Sequence, residues 1–316
     1  MALTGSSWRI IFFGTPSFAI PTLRQLFDGP DEVVAVVTQP DRKKGRGQKV
    51  LPSPVKELAS MHDVRVLQPE HVKEPLFQEE MKELHPDLFV VTAYGQILPE
   101  SLLRIPVHGA INVHASLLPR YRGAAPIPWV ILNGERVTGV TTLMMDAGMD
   151  TGNILLQSEI LIGERETSET LHDRLAKLGA QLLEETIAGL KSEKITPVSQ
   201  DHSVVTYAPF IRKEDGRIDW SKEAVEIDRQ VRAFNPWPGA HTKWEGKLLK
   251  VFEGEIRKGT PQGENGSVSW VGTDVIEVKT GKESYRIREV QLEGGKRLSV
   301  GDFLQGHRVW VGTVFK

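Results

Sequence analysis

The chain predicts a doubly wound, mostly parallel α/β domain followed by a small β-barrel, and three observations carry that prediction. Short, continuously apolar runs alternate with helix-like periodicity through roughly the first 200 residues. Composition then turns polar, at Gln200-Asp201-His202-Ser203 and Arg212-Lys213-Glu214-Asp215-Gly216. After that, short strand-like runs are separated by glycine-rich turns. The expected division is a catalytic domain over 1–205, a linker over 206–220 and a second domain over 221–316, and 316 residues suffice for two cores.

The elements follow in order. Trp8 to Phe13 is an apolar run ending at Gly14; Thr15 is placed to cap the next helix, with Pro16 at its first position. Val33-Val34-Ala35-Val36-Val37, within Asp31 to Thr38, is a continuous apolar strand of the kind covered on both faces. Asp87 to Thr92 and Ala110 to His114 read the same way. Helical periodicity appears around 71–84, 124–133 and 168–191, and Gly139–Met145 with Ile154–Ile162 suggest an antiparallel hairpin at one edge. Ala224 to Phe234 reads as a helix stopped by Asn235-Pro236-Trp237-Pro238-Gly239. Leu248–Phe252, Val268–Val271, Val275–Val278 and Tyr285–Ile287 are short strands, and about five of these in roughly 75 residues suggest a barrel.

Hydrophobic residues at 40% and charged residues at 25% describe an ordinary soluble globular protein. With no cysteine, a disulfide framework and a thiolate zinc site are both excluded. Residues 1–7 lack the basic region and apolar core of a secretory leader, and no apolar run approaches membrane-spanning length, so a cytoplasmic protein without membrane contact is expected. The net charge of −2 argues against nucleic acid, but its distribution does not. No acid falls between Glu100 and Glu135, and Asp41 to Lys56 holds one acid against Arg42, Lys43, Lys44, Arg46, Lys49 and Lys56. Local clusters, not totals, displace counterions from phosphates.

Chemistry concentrates in Asn112-Val113-His114-Ala115-Ser116-Leu117-Leu118-Pro119-Arg120-Tyr121-Arg122-Gly123 and in Met145-Asp146-Ala147-Gly148-Met149-Asp150-Thr151-Gly152. In a strand Asn112 and His114 share a face. With a carboxylate they suit attack of an amine on a carbonyl: the first two stabilise an oxyanion, and the acid orients the imidazole and manages the proton. Asp146 and Asp150 compete for that acid. Ser116 is a conceivable acyl carrier, but it lacks the G-x-S-x-G elbow. Phe13-Gly14-Thr15-Pro16-Ser17 lacks G-x-G-x-x-G, so no nicotinamide is expected, nor a metal.

These strings, with Gln39-Pro40-Asp41-Arg42, Ala93-Tyr94-Gly95-Gln96-Ile97-Leu98-Pro99, Arg122-Gly123-Ala124-Ala125-Pro126-Ile127 and Ala233-Phe234-Asn235-Pro236-Trp237-Pro238, resemble the formyltetrahydrofolate-dependent formyltransferases. The likeness is greatest to the branch that acts on initiator methionyl-tRNA. It runs from about residue 8 to 240, and the remainder fits the family's C-terminal domain in length.

The resemblance implies a Rossmann-like catalytic domain and an OB-like, tRNA-binding C-terminal domain. The implied co-substrate is 10-formyltetrahydrofolate, whose formyl group passes to the α-amine of methionine on initiator tRNA for translation initiation. The chain is expected to work as a monomer. Asn112, His114 and Asp150 match the catalytic positions, which leaves Asp146 to brace its turn through Gly148. Ser116, Leu117, Leu118 and Pro119 match the border of the folate site, and Tyr94, Gly95 and Ile97 are expected to form another wall. Arg42, Lys43, Lys44, Arg46 and Lys49 match an insertion that reaches the tRNA acceptor end. Lys43-Lys44 stand where the family commonly has Pro-Ala, and Gln48 replaces a usual lysine, which makes the loop less rigid. The competing readings are a formyltransferase for a small amine, such as a nucleotide sugar or glycinamide ribonucleotide, a hydrolase of the folate, and a catalytically silent RNA-binding protein.

Overall fold

In the computed structural model, which describes residues 7–44, 49–259 and 261–316, β1 (Arg9–Gly14) and β2 (Glu32–Val37) are separated by α1 (Ile20–Asp28). A two-stranded ribbon of β3 (Arg42–Lys44) and β4 (Lys49–Leu51) precedes α2 (Pro54–Met61), β5 (Val66–Leu67) and α3 (Pro75–Glu83). Next come β6 (Leu88–Thr92), α4 (Glu100–Leu103), β7 (Ala110–His114), α5 (Pro126–Leu132), β8 (Val137–Met144), β9 (Ile154–Leu161) and α6 (Ser168–Lys191). The main sheet has the order β5-β2-β1-β6-β7-β8-β9. It is parallel through β7, and β8 and β9 are antiparallel, so the expected hairpin lies at one edge.

Burial explains the pairing type. β6 is buried at every position and β1 at all but its first, as strands covered on both faces must be. β9 alternates buried or half-buried with exposed positions along most of its length, as expected of an edge strand with one wet face. The chain runs outward from β1 to β2 and β5, then returns to β6 and β7 on the other side. The strand order reverses between β1 and β6, and open α/β sheets place ligands at the carboxyl ends there.

Local contacts pin those ends. The Thr15 hydroxyl donates to the Tyr94 carbonyl at 2.9 Å, joining the ends of β1 and β6. This corrects the expectation that Thr15 caps a helix: a short 3-10 turn over Ser17–Ala19 comes first, with no side-chain cap. Ser53 caps α2 by accepting from the Lys56 amide at 3.0 Å, and its hydroxyl also pairs with Thr38 just past β2. A Cβ on Gly179 of α6 would stand 2.8 Å from Val113 Cγ1 and 3.5 Å from Val140 Cγ1. A side chain there would lift the helix off β7 and β8, the strands beside the candidate site.

The chain divides into two compact units, one comprising Met1–Pro126, Val137–Leu161 and His172–Ala208, the other Ile127–Arg136, Ile162–Leu171 and Pro209–Lys316. In the second, α7 (Ala224–Ala233) ends one residue short of the predicted Phe234, just ahead of Asn235-Pro236. Strands β10 (Ala240–Trp244), β11 (Lys247–Arg257), β12 (Val268–Val271), β13 (Ile276–Lys279), β14 (Ser284–Leu292) and β15 (Arg297–Ser299) follow, then α8 (Val300–Gly306). The sheet order is β10-β11-β14-β13-β12, with β15 on β14. β11 and β14 outrun their predicted lengths because their charged residues lie within the strands, where pairing and not hydrophobicity extends them. The last residues join the two edges. Val268 N–H donates to Thr313 O at 2.7 Å, and Lys243 and Lys316 exchange backbone bonds at 2.7 and 3.1 Å, so the sheet closes on itself. Tyr285, Ile287, Val290, Ile276, Trp244 and Phe303 are among the residues that fill it.

Candidate active site

β7 places Asn112 and His114 on one face at the carboxyl edge of the sheet, while Ile111 and Val113 enter the core. The loop after β8 brings in the acid. Asp150 Oδ1 accepts from Asn112 Nδ2 at 3.3 Å and lies 3.6 Å from His114 Nδ1. Its other oxygen, Oδ2, accepts from the Gly123 amide at 2.8 Å. The two oxygens are thus differentiated: Oδ2 is engaged by the backbone, and Oδ1 faces Asn112 Nδ2 and His114 Nδ1.

His114 Nε2 is 3.0 Å from the Tyr121 carbonyl. A carbonyl only accepts, so Nε2 carries a hydrogen and Nδ1 is the nitrogen turned toward Asp150. The 3.6 Å between Nδ1 and Oδ1 exceeds a direct hydrogen bond. The carboxylate itself is nearly enclosed, its side chain 13% exposed, so its electrostatic influence is little screened.

Asp146 does something else. Its Oδ1 accepts from the Gly148 amide at 3.0 Å and from the Thr151 hydroxyl at 2.6 Å, which braces the turn. Ser116 is buried, and its hydroxyl donates to the Arg120 carbonyl at 2.7 Å, so its proton is committed to the backbone and not to a base. The rest of the segment is tightly held: Leu118 N–H donates to Thr141 Oγ1 at 3.0 Å, and Gln157 Nε2 donates to Leu118 O at 2.9 Å. Leu117 and Pro119 are half-buried and Leu118 is buried.

The 94–97 segment divides between core and surface. The Tyr94 ring packs edge-on to Phe13 with centroids 5.4 Å apart and belongs to the core around Phe89, Val91 and Leu98. Burial pushes its hydroxyl well above the usual phenol range, so it remains neutral. Gly95, at φ +95°, and Ile97 are exposed. What Tyr94 contributes to the surface is therefore backbone.

In the basic stretch, Arg42 pairs with Leu51, Lys43 with Val50 and Lys44 with Lys49, forming a two-stranded ribbon where the sequence suggests a loop. Arg42 is exposed; Arg46 lies outside the described residues. Lys56 leaves the expected basic cluster, because its ammonium is 2.6 Å from Asp41 and 2.7 Å from Gln68 Oε1.

Sequence reasoning missed Gln200, which lies in a stretch it reads as polar connector. The residue is 5% exposed, and its side chain hydrogen-bonds on both sides. Oε1 accepts from Arg122 Nε at 3.1 Å and Nη2 at 2.6 Å, and Nε2 donates to Asp150 O at 2.8 Å and Gly152 O at 2.7 Å. No sequence signal marks it, since nothing local distinguishes a buried glutamine from a solvated one.

Comparison with known proteins identifies the family. The family described as formyl transferase matches residues 8–187, and the formyl transferase C-terminal domain matches 210–308. A methionyl-tRNA formyltransferase of Geobacter sulfurreducens is 54% identical over 305 residues, covering 96% of each chain. One from Caldanaerobacter subterraneus subsp. tengcongensis is 50% identical over 309 residues, 98% of this chain and 100% of its own. Among solved structures, an N-formyltransferase from Helicobacter canadensis in complex with folinic acid and dTDP-3-aminofucose superposes with TM-score 0.66 at 21% identity, covering 92% of this chain and 100% of that one. HypX from Aquifex aeolicus in complex with tetrahydrofolic acid gives 0.66 at 18% identity over 98% of this chain and 51% of that one. These two establish likeness of fold.

Proposed function

This chain belongs to the formyl transferase family, and we propose that it transfers the formyl group of 10-formyltetrahydrofolate to the α-amine of methionyl initiator tRNA. The observation that carries the reading is the convergence of Asn112 Nδ2 and His114 Nδ1 on one oxygen of Asp150 at the carboxyl end of β7. Two donors and one proton acceptor in one place match the demands of acyl transfer to an amine.

The free amine attacks the formyl carbon, and the carbonyl π pair moves to oxygen. Asn112 and the protonated Nδ1 of His114 donate to that oxyanion. Asp150 Oδ1 takes the proton that the nitrogen sheds. Collapse re-forms the carbonyl and expels N10 of the folate, which receives the proton, so the products are tetrahydrofolate and the formylated aminoacyl-tRNA. No covalent enzyme intermediate is required, which agrees with Ser116 being engaged elsewhere.

In this reading Ser116, Leu117, Leu118 and Pro119, with the backbone of Tyr94, Gly95 and Ile97, border the folate, and Arg42, Lys43, Lys44, Arg46 and Lys49 meet the acceptor end. Residues 1–205 carry the chemistry, 206–220 link, and 221–316 bind tRNA. Relatives named for methionyl-tRNA at about half identity over nearly the whole chain favour this acceptor over a small amine. The reading also assigns a single copy of the chain acting in the cytoplasm. No helix among the described residues is long and apolar enough to cross a membrane.

The test is incubation with 10-formyltetrahydrofolate and charged initiator tRNA, beside a panel of amino sugars and glycinamide ribonucleotide. Formylation of the tRNA with none of the small amines supports the reading. Formylation of a small amine alone overturns it.

A further inference from the structure

Gln200 and Arg122 lie outside the trio assigned to the chemistry, yet both are buried against it. The amide of Gln200 has two hydrogens and two acceptor sites, and all four are used: two guanidinium N–H groups enter Oε1, and Nε2 spans the carbonyls of residues 150 and 152. This also settles the amide's orientation, because guanidinium cannot accept and carbonyls cannot donate. Arg122 is held through its backbone, its N–H donating to Thr206 O at 2.9 Å and its carbonyl accepting from Ala208 N at 2.8 Å. The next residue, Gly123, supplies the amide that grips Asp150 Oδ2.

The contacts therefore form a closed ring, from Arg122 to Gln200, to the backbone of Asp150, through its carboxylate to Gly123, and back to Arg122. Asp150 sits in the ring with φ +56°, a left-handed conformation that an L-residue keeps only when its surroundings impose it. Gly152 lies so close to β8 that a Cβ would fall 1.7 Å from Met144 O, so the loop is fixed on that side too.

Resting on the assignment of Asp150 as proton acceptor, we infer that Gln200 is a positioning residue for the reaction: anchored by Arg122, it holds the 150–152 backbone so that Asp150 Oδ1 faces Asn112 and His114. The chemistry sets the requirement. A proton acceptor must lie within hydrogen-bond reach of the attacking nitrogen, and a displacement of about 1 Å costs up to roughly 100-fold in rate.

The test is a double-mutant cycle with separate kcat and KM. Gln200→Met keeps the side-chain length and removes every hydrogen bond. It should lower kcat by roughly 10- to 100-fold while KM for the folate and for the tRNA stays within about twofold. In an Asp150→Asn background the same substitution should cost almost nothing further, because it acts only through the acid already removed. Should Gln200→Met not fold, Gln200→Glu serves the same comparison, since it retains a partner for Arg122 and puts a carboxylate oxygen, which repels the carbonyls of residues 150 and 152, in place of the two donors. An equal loss in both backgrounds, or a rise in KM with kcat unchanged, overturns the positioning role. Full activity of the Gln200 variant beside an inactive Asp150→Asn overturns this inference alone, whereas an active Asp150→Asn removes the parent assignment.

Discussion

Gly123→Ala isolates the share of the backbone in holding Asp150. Gly123 has φ +117°, a region open to glycine and costly for any L-residue by about 1–3 kcal/mol. A Cβ there would stand 2.8 Å from the Ala208 carbonyl oxygen, which is backbone and has little freedom to yield. That oxygen already accepts from the Ala125 amide at 3.1 Å, so moving it strains a second bond. Strain and displacement together should cost about 2–3 kcal/mol. For a unit of this size that is a fall in Tm of roughly 4–12 °C. Relief of the clash moves the Gly123 N–H off Asp150 Oδ2, so turnover at saturating substrates should fall by roughly tenfold or more. Differential scanning calorimetry beside steady-state formylation reads both effects. A variant with unchanged Tm and full turnover would refute the argument that this backbone must be left-handed and that its amide helps to aim the acid.

Replacing both Arg42 and Arg46 with Ala should raise KM for the tRNA and reduce the log–log salt dependence of binding by roughly one to two units, while transfer to a minimal aminoacyl analogue is unchanged; equal losses on both acceptors would move the ribbon into the catalytic scaffold. In the second unit Glu277 is buried, which disfavours its charge, but hydrogen bonds from Arg286 at 2.9 Å and Ser284 at 3.0 Å, with Arg257 nearby, prevail and hold the carboxyl below its usual range. A group depressed on folding contributes stability above its unfolded pKa and loses it as pH falls through the folded one. The Tm gap between wild type and Glu277→Gln should therefore be largest near neutrality and shrink in acid; a gap that widens in acid contradicts the pairing.

Legibility differed residue by residue. β6, β7 and α6 were readable because buried parallel strands and a long amphipathic helix leave periods in the sequence that no tertiary contact needs to supply. Asn112 and His114 were readable as a pair because strand geometry alone puts them on one face. Asp150 and Asp146 were not separable by local pattern: both are acids in one loop, and only the folded loop turns one toward Gly148 and Thr151 and the other toward the donors. Gln200 was invisible because its burial is created by partners 78 and 50 positions away, in a stretch whose composition matches a solvated connector. The β3–β4 ribbon carries no apolar alternation, so backbone pairing alone defines it. Tyr94 shows the same limit, since an aromatic at a strand end reads alike whether its ring enters the core or a binding wall.

Single-turnover formyl transfer by Asp150→Asn tests the central claim most directly, with Asp146→Asn as its companion. Asn retains the shape and an oxygen for the Gly123 amide but cannot take up the proton. The account requires Asp150→Asn to transfer formyl at least about a hundredfold more slowly, with folate affinity within about twofold, and Asp146→Asn to stay within a few-fold of wild type while losing some thermal stability. Near-normal transfer by Asp150→Asn, or loss of transfer confined to Asp146→Asn, would contradict it.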